Sequence, residues 1–271
     1  MKPFVRTLAA LALSASLPVA AHAHKAWLLP SSTVLSGKED LAITVDAAAS
    51  NDLFYFDHRP LRLESLAVTG PDGAVVKVEN ASTGKYRSSF DVPLKQAGTY
   101  RIALINEGVF ARYKEDGKEK RWRGPAAKLA EEIPPSATDL VVTENVRRIE
   151  TFVTSGSPGG AALKPVGTGL ELEPVTQPND LVSGSEAEFR LLLDGKPAPG
   201  VKVEIVRGGI RYRNQLGETT VTTDDSGVFK YTWPEPGMYW LEANVTDDKA
   251  TIKDAKERRA GYAATLEVLP E

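Results

Sequence analysis

The chain has 271 residues, a formal net charge of −3 from 33 basic and 36 acidic side chains, no cysteine and three histidines. That mildly acidic balance argues against nucleic acid as a partner. The missing thiols exclude disulfides, thiolate nucleophiles and sulfur-ligated metal centres, so any metal has to be held by nitrogen and oxygen.

In chain order, the first element is a secretory signal peptide over residues 1–23. Lys2 and Arg6 give it a basic start, residues 8–21 supply an apolar run too short to span a bilayer, and Ala21-His22-Ala23 is a small-x-small cleavage site. A cut after Ala23 is the favoured one and a cut after Ala21 the alternative. Either places the mature protein in the periplasm, and no later segment reaches the roughly 18 apolar residues of a membrane span.

Short strands and turns then dominate. Residues 41–45 alternate, 61–68 form an apolar-rich run, Pro71-Asp72-Gly73 is a turn, 74–78 continue as a strand and Gly98 opens another over 98–104. The run Leu53-Phe54-Tyr55-Phe56 reads as a strand buried on both faces, or else as an exposed platform for carbohydrate. Trp27 is expected to anchor the N-terminal strand. Residues 114–123 are a charged loop or hairpin tip that ends in the basic-aromatic Arg121-Trp122-Arg123-Gly124. Residues 126–132 make a turn or two of helix before Pro134-Pro135, residues 145–152 suit a strand or a short helix, and 155–160 (SGSPGG) have linker composition.

Beyond the linker, strands are expected at 170–172, 187–193, 201–206, 228–231, 238–241 and 265–269. The two halves echo each other. PDGAVVKV and QAGTYRIAL in the first correspond to DDSGVFKY and PEPGMYWLEA in the second, as when one Greek-key unit occurs twice. The expected organisation is all-β: two immunoglobulin/transthyretin-like β-sandwich domains, over residues 24–160 (with a short helical insertion) and 161–271.

The chemistry is narrowed by absences. The histidines are His22, His24 and His58, no motif frames a nucleophilic serine, and no zinc-protease, phosphate-loop or dinucleotide motif occurs. No catalytic residue is assigned and no enzyme is expected. Cleavage after Ala23 would instead make His24 the first residue, its α-amine and imidazole forming a chelate. His58 would add a third nitrogen in the T-shaped arrangement called a histidine brace, which suits Cu(II) or Ni(II) better than zinc. Cleavage after Ala21 would leave His22-Ala23-His24, also a copper- or nickel-type terminus. Asp57 is the expected partner that orients His58, or an oxygen ligand; Asp46 and Asp52 are weaker candidates.

Four segments carry a family resemblance: AHAHKAWLLPS, SNDLFYFDHRPLRLESLAVTGPDG, GTYRIAL and DGKPAPGVKVEI with TDDSGVFKYTWPEPGMYWLEA. Through them the chain resembles the periplasmic proteins of domain of unknown function 4198, related to nickel and cobalt uptake components. The resemblance implies immunoglobulin- or transthyretin-like β-sandwich modules and, for part of the family, transition-metal handling; with the copper- or nickel-type terminus, the metal expected is nickel, cobalt or copper. Only His24 falls on a matching ligand position; His58 follows from the brace argument. With no membrane segment, the expected role is metal binding and delivery to an envelope uptake partner. The alternative is a non-catalytic module that binds a carbohydrate or protein partner.

Overall fold

Eighteen strands follow one another in the computed structural model, which describes residues 24–36 and 41–271; the signal-peptide expectation for residues 1–23 lies outside the described residues. They are β1 (Lys25–Pro30), β2 (Val34–Leu35), β3 (Ala42–Ser50), β4 (Arg59–Pro60), β5 (Leu66–Thr69), β6 (Glu79–Thr83), β7 (Ser88–Pro93), β8 (Gly98–Glu115) and β9 (Lys118–Gly124). Beyond a short helix, α1 (Leu129–Glu132), come β10 (Thr138–Ser155), β11 (Leu170–Pro174), β12 (Glu186–Leu193), β13 (Lys196–Pro197), β14 (Lys202–Arg207), β15 (Thr219–Thr222), β16 (Val228–Thr232), β17 (Gly237–Asp247) and β18 (Glu257–Val268). The chain is all-β, a sandwich fold. Among the described residues no helix is long and apolar enough to cross a membrane.

Three sheets stack as layers. A central sheet runs β15-β14-β17-β18-β10-β8-β5, with β2 beside β10 and β9 beside β8. One outer sheet, β1-β3-β7-β6 with β4 beside β3, comes wholly from residues before 160; the other, β11-β12-β13 with β16 beside β12, wholly from residues after it. Side chains on a strand alternate between faces, and the central sheet is apolar on both. Trp240, Ala263, Ile149 and Val153 enter the core against the first outer sheet, whereas their neighbours Tyr239, Leu241, Tyr262, Ala264 and Phe152 enter the core against the second. The division at residue 160 therefore separates the outer layers, while the two halves join edge to edge in the central one through the parallel pairing of β10 with β18.

The echo between the halves has a structural counterpart. Gly98 and Gly237 open β8 and β17 at φ of 133° and 137°, a backbone region that disfavours any side chain. Two residues on, the Tyr100 hydroxyl donates to the Gln96 carbonyl at 3.0 Å and the Tyr239 hydroxyl to the Glu235 carbonyl at 2.7 Å. This back-bonded tyrosine resembles the tyrosine corner of immunoglobulin sandwiches. The two corners lie in one sheet and point into opposite cores.

Three expectations change. The strand at 74–78 shrinks to one bridge between Thr69 and Val75, because the Asp72 carboxylate and the Gly70 backbone engage Ala74 in a turn. The linker at 155–160 is fastened: Thr99 donates to the Gly159 carbonyl, and Ala161 to that of Pro71. The run 53–56 is a turn, described below.

Candidate metal centre

The site is built at the end of the first outer sheet. β3 runs between β1 and β4, with Lys25 opposite Ser50 and Arg59 opposite Ala49. His24 and His58 immediately precede those two flanking strands, so both emerge at the end of β3. Strands two apart in a sheet are about 10 Å apart, within reach of two imidazoles turned toward each other. The rings do meet, stacked with centroids 3.5 Å apart and planes 4° from parallel. Both residues are exposed.

Local packing fixes both arms. Trp27 is fully buried and donates its indole N–H to the Ser50 hydroxyl at 2.8 Å, tying β1 to β3 beside His24. On the other arm, the two carboxylate oxygens of Asp57 accept the backbone N–H groups of Asn51 and Asp52 at 2.9 and 3.1 Å. That cap closes the loop into a turn in which Leu53 is buried and Phe54 takes a φ of 65°. Phe54 and Phe56 each lie 5.6 Å from the Trp27 ring. Phe54 also presses on Gly208, where a Cβ would sit 2.8 Å from its ring, so a side chain there would push the loop away.

The electrostatics favour a ligand form of His58. Loss of solvent around the ring, then the charges of His24 and Arg59, hold its pKa below the ordinary imidazole range, with Asp57 opposing. A neutral imidazole at neutral pH has a lone pair to offer. Both rings are nitrogen donors of the kind a transition metal takes, but they are stacked rather than set around a common point. The lone pairs of parallel rings are parallel, so the stack is not the T of a brace and the exposed rings must open to share one ion. Among the described residues, no group of three or more His, Asp or Glu side chains could hold a metal, so a third donor has to come from the main chain or the ligand.

The remaining predicted residues lie elsewhere. Asp57 spends both oxygens on the loop backbone, which makes it the support of the segment carrying His58. Asp46 pairs with Arg87 at 3.2 Å, and that guanidinium lies 4.5 Å over Phe56. Burial nonetheless pushes the Asp46 carboxyl up, against the pull of Arg87. Asp52 enters the site through its backbone N–H. A separate cavity of about 350 Å³ is lined by Leu53, Phe54, Tyr55, Arg207, Gly208 and Met238 among others, and by neither histidine. Sequence reasoning missed Ser50 and Gly208. Their signals exist only across the sheet, in what Trp27 and Phe54 touch.

A family model described as Domain of unknown function (DUF4198) matches residues 21–247. No curated protein sequence matches the chain. Among solved structures, the chain is similar to the D0-D1 domain of intimin at 11% identity and a TM-score of 0.23, over 89% of this chain and 97% of that one. It is likewise similar to the Escherichia coli adhesin FdeC at 14% identity and a TM-score of 0.21, over 90% of this chain and 63% of that one.

Proposed function

The chain belongs to the domain of unknown function 4198 family, and from that footing we propose that it is a periplasmic protein that binds and delivers a divalent transition metal, namely nickel, cobalt or copper. Its cargo site is His24 with His58, completed by the α-amine that signal-peptide removal would free at His24. One observation carries the reading: two of the chain's three histidines, 34 positions apart, are brought ring to ring at the point where the mature chain would begin. Trp27 and Asp57 hold the two arms, so binding needs only the exposed rings to turn. The role is binding without catalysis.

The test is titration of Ni²⁺ and Cu²⁺ into two proteins, one starting at His24 and one with a single extra residue before it. Loss of the amine should weaken binding by about 100-fold or more, since a chelate ring is opened and a ligand removed. Equal, tight binding by both forms would contradict a terminal site.

A second reading, a module that binds a carbohydrate in the envelope, draws on the aromatic cavity beside the loop. Tyr55 lines it, Arg211 stacks 4.8 Å over the Tyr55 ring, and the next residue, Tyr212, is 83% exposed. Retention of metal-free protein on polysaccharide resin, abolished by Tyr212→Ala, would favour it.

A further inference from the structure

Residues 74–78 carry the pattern of a strand, yet their backbone is paired on one side only. Gly70 donates to the Ala74 carbonyl and Val76 to the Val68 carbonyl, both at 2.8 Å, which sets Val75 opposite Thr69 of β5. Ala74 and Val76 therefore turn their backbone groups toward β5, the last strand on that side of the central sheet. Successive residues of an extended chain point their N–H and C=O to opposite sides, so Val75 and Lys77 turn theirs outward. The side chains keep the same period. Val76 and Val78 pack on the first core, whereas Val75 and Lys77 are exposed, Val75 by 86%. Among the described residues, no backbone hydrogen bond from another strand or turn reaches Val75 or Lys77.

A cavity of about 310 Å³ lies against this edge, with Val75, Val76, Lys77 and Lys95 in its wall. The turn that frames it is fixed, because the Pro71 carbonyl accepts the Ala161 N–H at 2.7 Å. None of the ion pairs among the described residues engages Lys77 or Lys95. Of the two acids in the wall, Asp72 accepts the Gln96 side-chain N–H and the Ala74 backbone N–H, each at 2.9 Å. The other, Glu79, begins β6 in the first outer sheet.

An open edge of β-branched residues is a template for one more strand. A second copy of this chain is a poor occupant, since it would bring another Lys77 and Lys95 to the seam, like against like. An extended segment with acids on one face and apolar side chains on the other is complementary. Its acids meet Lys77 across the seam while its apolar side chains face the cavity. We propose that residues 75–77 dock such an acidic, extended segment of a partner protein, which adds as a strand at the β5 edge of the central sheet. The main chain supplies the hydrogen bonds, and Lys77 with the cavity supplies the selection. This surface is separate from the histidine pair and does not depend on the metal-binding reading.

The probe is the capped peptide Thr-Val-Glu-Val-Glu-Val-Thr, added to the mature chain starting at His24 and followed by amide hydrogen exchange in NMR spectra. At saturation the Val75 and Lys77 amides should exchange about 10-fold more slowly, while the Val76 amide, already bonded to Val68, stays unchanged. In this pairing the glutamates lie opposite Val75 and Lys77. N-methylation of both glutamates should therefore abolish binding, and N-methylation of the two outer valines should not. Lys77→Glu should weaken binding about 5-fold and make the same peptide with lysine in place of glutamate the better ligand. Lys77 is exposed, and circular dichroism checks that the variant is folded. A peptide that does not bind, or N-methylated forms that bind equally, would overturn the proposal. So would Val75 and Lys77 amides protected by self-association without peptide.

Discussion

Asp57 shows how much a single residue does here. Its carboxylate satisfies two backbone N–H groups and thereby sets the turn that ends in His58. Asp57→Ala should cost about 1 kcal/mol in urea denaturation, as loss of an exposed cap does. It should also weaken nickel binding about 10-fold, the usual effect of removing a support from a ligand; an unchanged affinity would show that the loop holds His58 without it. Asp57→Asn, which keeps one acceptor oxygen, should fall between. At this scale the sequence was legible in part. His24 and His58 stood out as rare nitrogen donors, and Asp57 by adjacency, but adjacency suggested a bond to the imidazole. The carboxylate turned to the backbone because a run of four apolar residues, 53–56, cannot pack both faces of a strand at a sheet end and folds back over Trp27 instead.

At the scale of elements, β1 and β3 form the frame of the site. Trp27 is the joint between them, with no exposed surface and one buried hydrogen bond. Trp27→Ala should lose about 3–5 kcal/mol. Trp27→Phe retains most of the packing and leaves the Ser50 hydroxyl without its donor, a loss of about 1–2 kcal/mol. In a chain of this size that corresponds to a Tm lower by about 3–5 °C, and an unshifted Tm would mean that the indole N–H contributes nothing. Strand positions were largely readable from alternation: residues 201–206 became β14, 187–193 became β12, and the Gly-x-Tyr entries became β8 and β17. Residues 145–152, which fit strand or helix, extend into the 18-residue β10, because pairing on both edges, with β8 and β18, outweighs local preference. The charged segment 114–123 is a hairpin tip: the end of β8, a two-residue turn and most of β9.

The whole molecule is held by contacts that alternation cannot reveal. Nothing in either half announces that β10 will pair with β18, more than a hundred residues away, or that both halves will lend strands to one sheet. A clasp between layers illustrates this. Arg258 on β18 donates to both oxygens of Asp194, in the turn of the second outer sheet, and to both oxygens of Asp247 at the end of β17. Its hydrogen bonds hold both carboxyls below their ordinary range. A depressed carboxylate stabilises the fold above its unfolded pKa, near 3.8, and that contribution fades as the pH falls through the folded value. Arg258→Gln should therefore cost about 2 kcal/mol at pH 7, a figure reduced because Asp194 keeps 34% of its side-chain surface in water. The gap to wild type should close below about pH 4, and a constant gap from pH 7 to pH 3 would contradict the assignment. The proposed function requires His24 and His58 to join at one metal. Electron paramagnetic resonance of one equivalent of Cu²⁺, bound to the protein that starts at His24, tests it most directly through the nitrogen couplings of the copper spectrum. Two imidazole couplings in wild type, reduced to one in either His24→Ala or His58→Ala, are the predicted result; a spectrum unchanged by His58→Ala would contradict it.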